Sequence, residues 1–257
     1  MKRIPILARF NLQLLTLLAF FLTLLPAMAA EDASGAPKDV KFYEIFITPG
    51  PKAVVMWILL LSSVVMLGLI VELFIRLRTA KLAPPAVVAL LRDALVSGNY
   101  QQALDVCGAN KCFLTAVMGP ALASVTLGRY AVDEIVNEGF TQQSSRIKAK
   151  NNYLSVIGVV SPMVGLAGTV AGMMKAFAVL GQSGVANMTG LSSAISEVLI
   201  ATLAGLVVAV PGFVFFYYFK NASTVVFADV HGEIRGLLRL IPFEQLQGLN
   251  LGLNANS

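Results

Sequence analysis

Three apolar runs constrain this chain more than any other feature. They extend from about Ala53 to Ile75, from Tyr153 to Leu180 and from Leu191 to Phe219, and each supplies the roughly 20 residues needed to cross a bilayer as helix. Only 13% of the residues are charged, against roughly 25% for an average soluble domain. The expected fold is therefore an all-α membrane protein with three transmembrane helices. The formal net charge of +5 is no sign of nucleic acid. Lys2, Arg3 and Arg9 sit in an N-terminal leader, and most other Lys and Arg cluster beside the apolar runs, as membrane orientation requires.

The leader has a positive n-region, an apolar core from Leu12 to Leu25 and the small-x-small site Ala27-Met28-Ala29. Residues 1–29 read as a secretory signal peptide, with an uncleaved first span as the alternative. In either case Glu31 and the stretch 30–52 lie outside the cytoplasm. Pro49-Gly50-Pro51 breaks that stretch before the first span, 53–75. Arg76, Arg78 and Lys81 follow the span and assign residues 76–152 to the cytoplasm. Glu72 and Arg76 stand at i and i+4, the spacing of an interfacial ion pair.

Residues 76–152 are too polar to enter the bilayer, and their apolar residues recur at helical spacing, as in Val132, Ile135, Val136, Phe140 and Ile147. A helical cytoplasmic subdomain is expected, with a helix break at Ser97-Gly98-Asn99. The second span covers 153–180, an uncharged outer loop 181–190, the third span 191–219, and an amphipathic cytoplasmic tail 220–257. The N-terminus is thus expected outside and the C-terminus inside.

Within the second span Gly158, Ser161, Gly165, Gly168 and Gly172 recur at intervals of three and four, which places them on one helix face. Small residues so arranged let a second helix approach closely in lipid, either within one subunit or between subunits. Glu197 interrupts "SAISEVLIATLAGLVVAV". A charged carboxylate in hydrocarbon costs about 2.5 kcal/mol or more, so such residues face a cavity or partner and mark ion or proton pathways. Burial would also favour its reversible neutralisation by a proton. The competing reading is a hydrated, structural Glu197 near the outer interface. Thr169 lies beside the small-residue face and Thr202 five residues beyond Glu197. A membrane Thr ordinarily bonds its own preceding turn. Lys175, near the outer end of the second span, can snorkel to the headgroups or pair with Glu197, and is a candidate modulator of that carboxylate.

No catalytic centre stands out. Gly168-Thr169 completes no phosphate loop and no nucleophile–base pair is evident. Cys107 and Cys112 lie far in sequence from the single His231, so no metal site and no cofactor are expected, and an enzyme is the reading least supported. A permease would show internal repeats or more spans.

"SPMVGLAGTVAGMMKAF" followed by "ISEVLIATLAGLVVAVPGFVFFY" resembles the paired spans of the TolQ/ExbB/MotA proton-channel family. The resemblance is specific in the G-L-x-G-T-V-x-G-x-M-x-x-F and E-x-L-x-A-T-x-x-G-L-x-x-A-x-P patterns, is looser over the cytoplasmic helices, and covers about Ala53 to Phe219. Three spans agree with the ExbB and TolQ branches rather than the four of MotA. Lys175 departs from the uncharged residue expected there. The resemblance implies a ring-like homo-oligomer, a pentamer in this family, in the bacterial inner membrane around an ExbD-like single-span partner with a membrane Asp. It further implies that Thr169, Glu197 and Thr202 line a proton pathway, and that a TonB-like protein carries the work to outer-membrane transport. A TolQ-like envelope-maintenance role and a non-conducting scaffold are the alternatives.

Overall fold

The structure, a computed structural model, describes residues 51–183 and 188–246. The leader and outer stretch, 1–50, lie outside the described residues, as do 184–187 of the outer loop and the tail from 247. All regular structure among the described residues is helical: α1 (Pro51–Arg76), α2 (Thr79–Leu82), α3 (Pro85–Val96), α4 (Tyr100–Ala109), α5 (Phe113–Ala123), a 3-10 turn (Val125–Leu127), α6 (Arg129–Ser183), α7 (Met188–Leu238) and α8 (Phe243–Leu246). Among the described residues, three helices are long and apolar enough to cross a membrane, over Val54–Arg76, Arg129–Ala178 and Val198–Leu238.

The second span and the amphipathic helix before it are a single element. No break separates the polar residues from Arg129 onward from the apolar run, because helical backbone bonding is indifferent to the switch from polar to apolar side chains. The third span likewise continues as α7 to Leu238. Pro162 and Pro211 lie inside these helices without ending them, which a membrane helix tolerates when neighbouring groups satisfy the freed carbonyl.

The residues form two compact units. Among the described residues, one comprises 51–67 with Leu154–Phe215; the other comprises Gly68–Tyr153 with 216–246. In the first, burial is confined to a narrow seam that includes Leu59, Met66, Leu154, Ser161, Val198, Val208 and Ala209. The remaining surface is apolar and open: Leu61, Met163, Leu166, Met174 and Leu199 are 59–69% exposed. Such faces suit lipid or neighbouring membrane helices and are incompatible with water.

The second unit has a conventional core. Leu91, Ala103, Leu114, Met118, Leu122, Val125, Val132, Val230, Ile234 and Leu237 are fully buried, and Phe113, Phe140 and Phe227 cluster with ring centroids 5.3–6.1 Å apart. Its local structure follows from a few residues. Pro84 and Pro85 open α3, where a missing N–H costs nothing. At its end, Gly98 adopts φ +70°, so that its N–H reaches Leu95 O at 3.2 Å and the Asn99 N–H reaches Ala94 O at 3.0 Å, a Schellman closure. Asn99 then caps α4, its Oδ1 accepting the Gln102 N–H at 3.0 Å. Asn99→Ala is expected to lower stability by about 1 kcal/mol, seen as a fall in the thermal midpoint of the purified protein, whereas Asn99→Asp should be close to neutral.

The two cysteines are free and half-buried. Cys112 precedes α5, where its N–H donates to Thr115 Oγ1 at 3.0 Å. Burial, with a smaller contribution from Cys112, pushes the Cys107 thiol up to about 12. At neutral pH that leaves roughly one thiolate in 10⁵. Cys107 should therefore react with iodoacetamide at least about a hundredfold more slowly than free cysteine, as read by mass spectrometry of the folded protein.

Candidate functional site

The small-residue stripe lies in the first unit, on α6, against α7 of the same chain. A Cβ placed on Gly165 would stand 2.9 Å from Ala201 O and 3.2 Å from Thr202 Cα. One on Gly158 would meet the Phe213 ring at 3.2 Å, and one on Gly168 would meet Val55 and Ala201 at 3.1 and 3.3 Å. One on Gly172 would clash with Val198 Cγ2. Ser161 is buried, and its carbonyl lies 2.7 Å from where a Cβ on Gly205 would stand. Of the two uses of the stripe, packing within a subunit is thus present, with α1 joining at Gly168. Gly205 answers the stripe from α7, a role that its single Gly in "LAGLV" did not announce.

These contacts fix an antiparallel register. Gly158 faces Gly212, Gly165 faces Gly205 and Gly172 faces Val198. Thr169 and Thr202 consequently lie at one level along the helix pair. Glu197 lies five residues from Thr202 toward the start of α7, about 7.5 Å along the axis. Both threonines are half-buried, at the margin of the seam. The Thr169 hydroxyl donates to Leu166 O at 2.7 Å, so its proton is held within its own helix while its lone pairs stay open to another donor. The backbone of Glu197 is helical, but its side chain lies outside the described residues, and so does any pairing with Lys175. The Lys175 side chain is exposed.

The second unit contains a polar cluster at the C-terminal end of α1. Glu72 binds Arg76 at 2.8 Å, the spacing read from the sequence, and also binds the Lys150 ammonium. Next to Lys150, Asn151 is buried and donates from Nδ2 to Phe216 O at 3.3 Å, while its Oδ1 has no partner among the described residues. The one local signal for this arrangement was the polar Lys150-Asn151-Asn152 directly ahead of the apolar run. Among the described residues no group of three or more His, Cys, Asp or Glu could hold a metal.

Three bilayer-length helices, stapled by a close small-residue seam and continued into a separate helical core, define a multi-pass helical membrane protein. Residues 109–231 match the MotA/TolQ/ExbB proton channel family. The biopolymer transport protein ExbB of Neisseria meningitidis serogroup A is 32% identical over 184 residues, which is 66% of this chain and 81% of that protein. ExbB of Salmonella typhimurium is 36% identical over 107 residues, 42% of this chain and 41% of the relative. A putative biopolymer transport protein, ExbB-like 3, of Synechocystis is 36% identical over 97 residues, 37% of this chain and 46% of the relative. The match therefore spans about two fifths of the Salmonella protein and most of the Neisseria one. The chain belongs to the MotA/TolQ/ExbB proton channel family.

Proposed function

We propose that this chain is an ExbB-like proton-channel subunit of an inner-membrane motor, which uses the proton-motive force to energise a TonB-like protein and so outer-membrane transport. One observation carries the reading: a chain of this family holds an ionisable Glu197 on α7, close to a level shared by Thr169 and Thr202, where the paired spans, Lys175 apart, hold no other Asp, Glu, Lys, Arg or His from Tyr153 to Leu180 and from Leu191 to Phe219. A carboxylate in that setting can exchange a proton reversibly, and hydroxyls at the next level can relay or order water. In this reading Glu197 takes a proton from the outer side. The proton passes by way of a membrane Asp on an ExbD-like single-span partner to the cytoplasm. Lys175 modulates the entrance from the outer end of α6. The chain works as a transducer and performs no enzymatic chemistry.

The exposed apolar faces of α6 and α7 support assembly around such a partner, since Met163, Leu166, Val170, Met174 and Phe177 form one row and Leu199, Leu203, Leu206 and Val210 another. We take the assembly to be a homo-oligomeric ring, with the N-terminus periplasmic and the C-terminus cytoplasmic. The relatives named ExbB support this branch over a TolQ-like role. The test is affinity capture of the full-length chain with the product of a neighbouring reading frame for a single-span protein with a membrane Asp, together with complementation of a strain lacking both. Co-purification and restored energy-dependent uptake are expected. A chain that captures no such protein and restores nothing contradicts the proposal.

A further inference from the structure

The second unit holds a cavity of about 290 Å³ between the first turns of α6 and the end of α7. Arg129, Asp133 and Asn137 line it from α6, and His231, Arg235 and Arg239 from the other side. Its charge is one-sided. Arg129 and Asp133 hold each other at 3.8 Å, whereas among the described residues neither Arg235 nor Arg239 has a carboxylate within 4.0 Å. His231 adds no further charge at neutral pH, because burial, and then the Arg235 guanidinium, lower its pKa. Its Nδ1 is buried without a hydrogen-bond partner among the described residues, and its ring centroid lies 4.9 Å from that of Phe140. The first turn of α6 carries no acidic residue, so its free N–H groups add to the positive field.

We propose that this cavity is a binding site for a small soluble phosphate-type dianion, a phosphate monoester or free phosphate, held by Arg235 and Arg239. Two guanidinium groups without carboxylate partners match the two charges of such a group, and their planar forks suit its oxygens. Asn137 offers an amide donor to the same volume. A lipid headgroup has the same chemistry but lies too far away. Along α7, Phe219, where the apolar run ends, precedes Arg235 by 16 residues and Arg239 by 20, about 24 and 30 Å of helix. The anion would join the start of α6 to the end of α7, so occupancy should stabilise the cytoplasmic unit by mass action.

The test uses the full-length protein in nanodiscs, with glycerol 3-phosphate and inorganic phosphate as probes, calorimetric titration as the readout of binding, and chloride at matched ionic strength as the control. Saturable binding with a raised thermal midpoint is expected. Arg235→Ala and Arg239→Ala should each weaken binding roughly tenfold or more, with the midpoint in chloride unchanged because both side chains are exposed. Arg146→Ala, elsewhere on α6, should bind as the parent does. Nanodiscs with and without phosphatidylglycerol should give the same affinity. An equal shift in chloride, unaltered binding by both variants, or competition by phosphatidylglycerol would each overturn the proposal.

Discussion

Gly205→Leu is expected to yield no folded membrane unit: the protein should be degraded in cells or, if recovered, lose its cooperative unfolding transition and become protease-sensitive. The reason is backbone, not side-chain, crowding. The first added carbon would stand 2.7 Å from Ser161 O and 3.3 Å from Gly165 Cα, and neither atom can turn aside without moving α6. Gly205→Ala already forces the helices apart, at a cost of about 1–3 kcal/mol, and the three further carbons of Leu have nowhere to go. Gly172→Ala should be milder, because the nearest neighbour of the new carbon is Cγ2 of Val198, a side-chain atom rather than backbone. Gly68→Ala, on α1 with nothing within 4 Å of the new carbon, should leave the thermal midpoint unchanged. The ranking Gly205→Leu, Gly205→Ala, Gly172→Ala, Gly68→Ala in thermal unfolding and protease resistance checks the seam. A midpoint for Gly205→Leu equal to that of the parent would contradict it.

The second large effect is functional. If the proposed function holds, Glu197→Gln should abolish energy-dependent uptake while leaving expression and capture of the proposed single-span partner unchanged, because Gln keeps the shape of Glu and can still hydrogen-bond but cannot titrate. Glu197→Asp, which keeps the titration and shortens the reach, should retain partial activity. A Gln variant with normal uptake would mean that the carboxylate only fixes helix packing, the scaffold reading. The threonines should show a smaller effect. Thr169 commits its proton to Leu166 O, so Thr169→Ser should be close to neutral and Thr169→Val should slow uptake without abolishing it.

Much of this fold was legible because its determinants are local. The three apolar runs, the Gly158-to-Gly172 stripe, the Glu72–Arg76 pair and the turn at Gly98 each depend on spacings of a few residues, and each is present. The ends of α6 and α7 were not legible. Hydropathy changes abruptly near Tyr153 and Lys220, and a change in solvent looks in sequence like a change in element, although the helical bonding runs straight through. Long-range pairings were hidden for a different reason. Lys150 reaches Glu72 across 78 residues, and Gly205 meets the stripe only through the register of an antiparallel pair. At the candidate site, the residue types in the Glu197 and Thr202 pattern could be read directly. That Thr169 and Thr202 share a level could not, because it depends on which residues of α6 face which of α7.

The central claim is that protons pass by way of Glu197. Its most direct test is proton flux driven by an imposed pH gradient into liposomes holding the full-length chain with the proposed single-span partner, measured for the parent and for Glu197→Gln at equal amounts of the two proteins. The account predicts flux in the parent and only the leak of protein-free liposomes in the variant. Equal flux in both would contradict it.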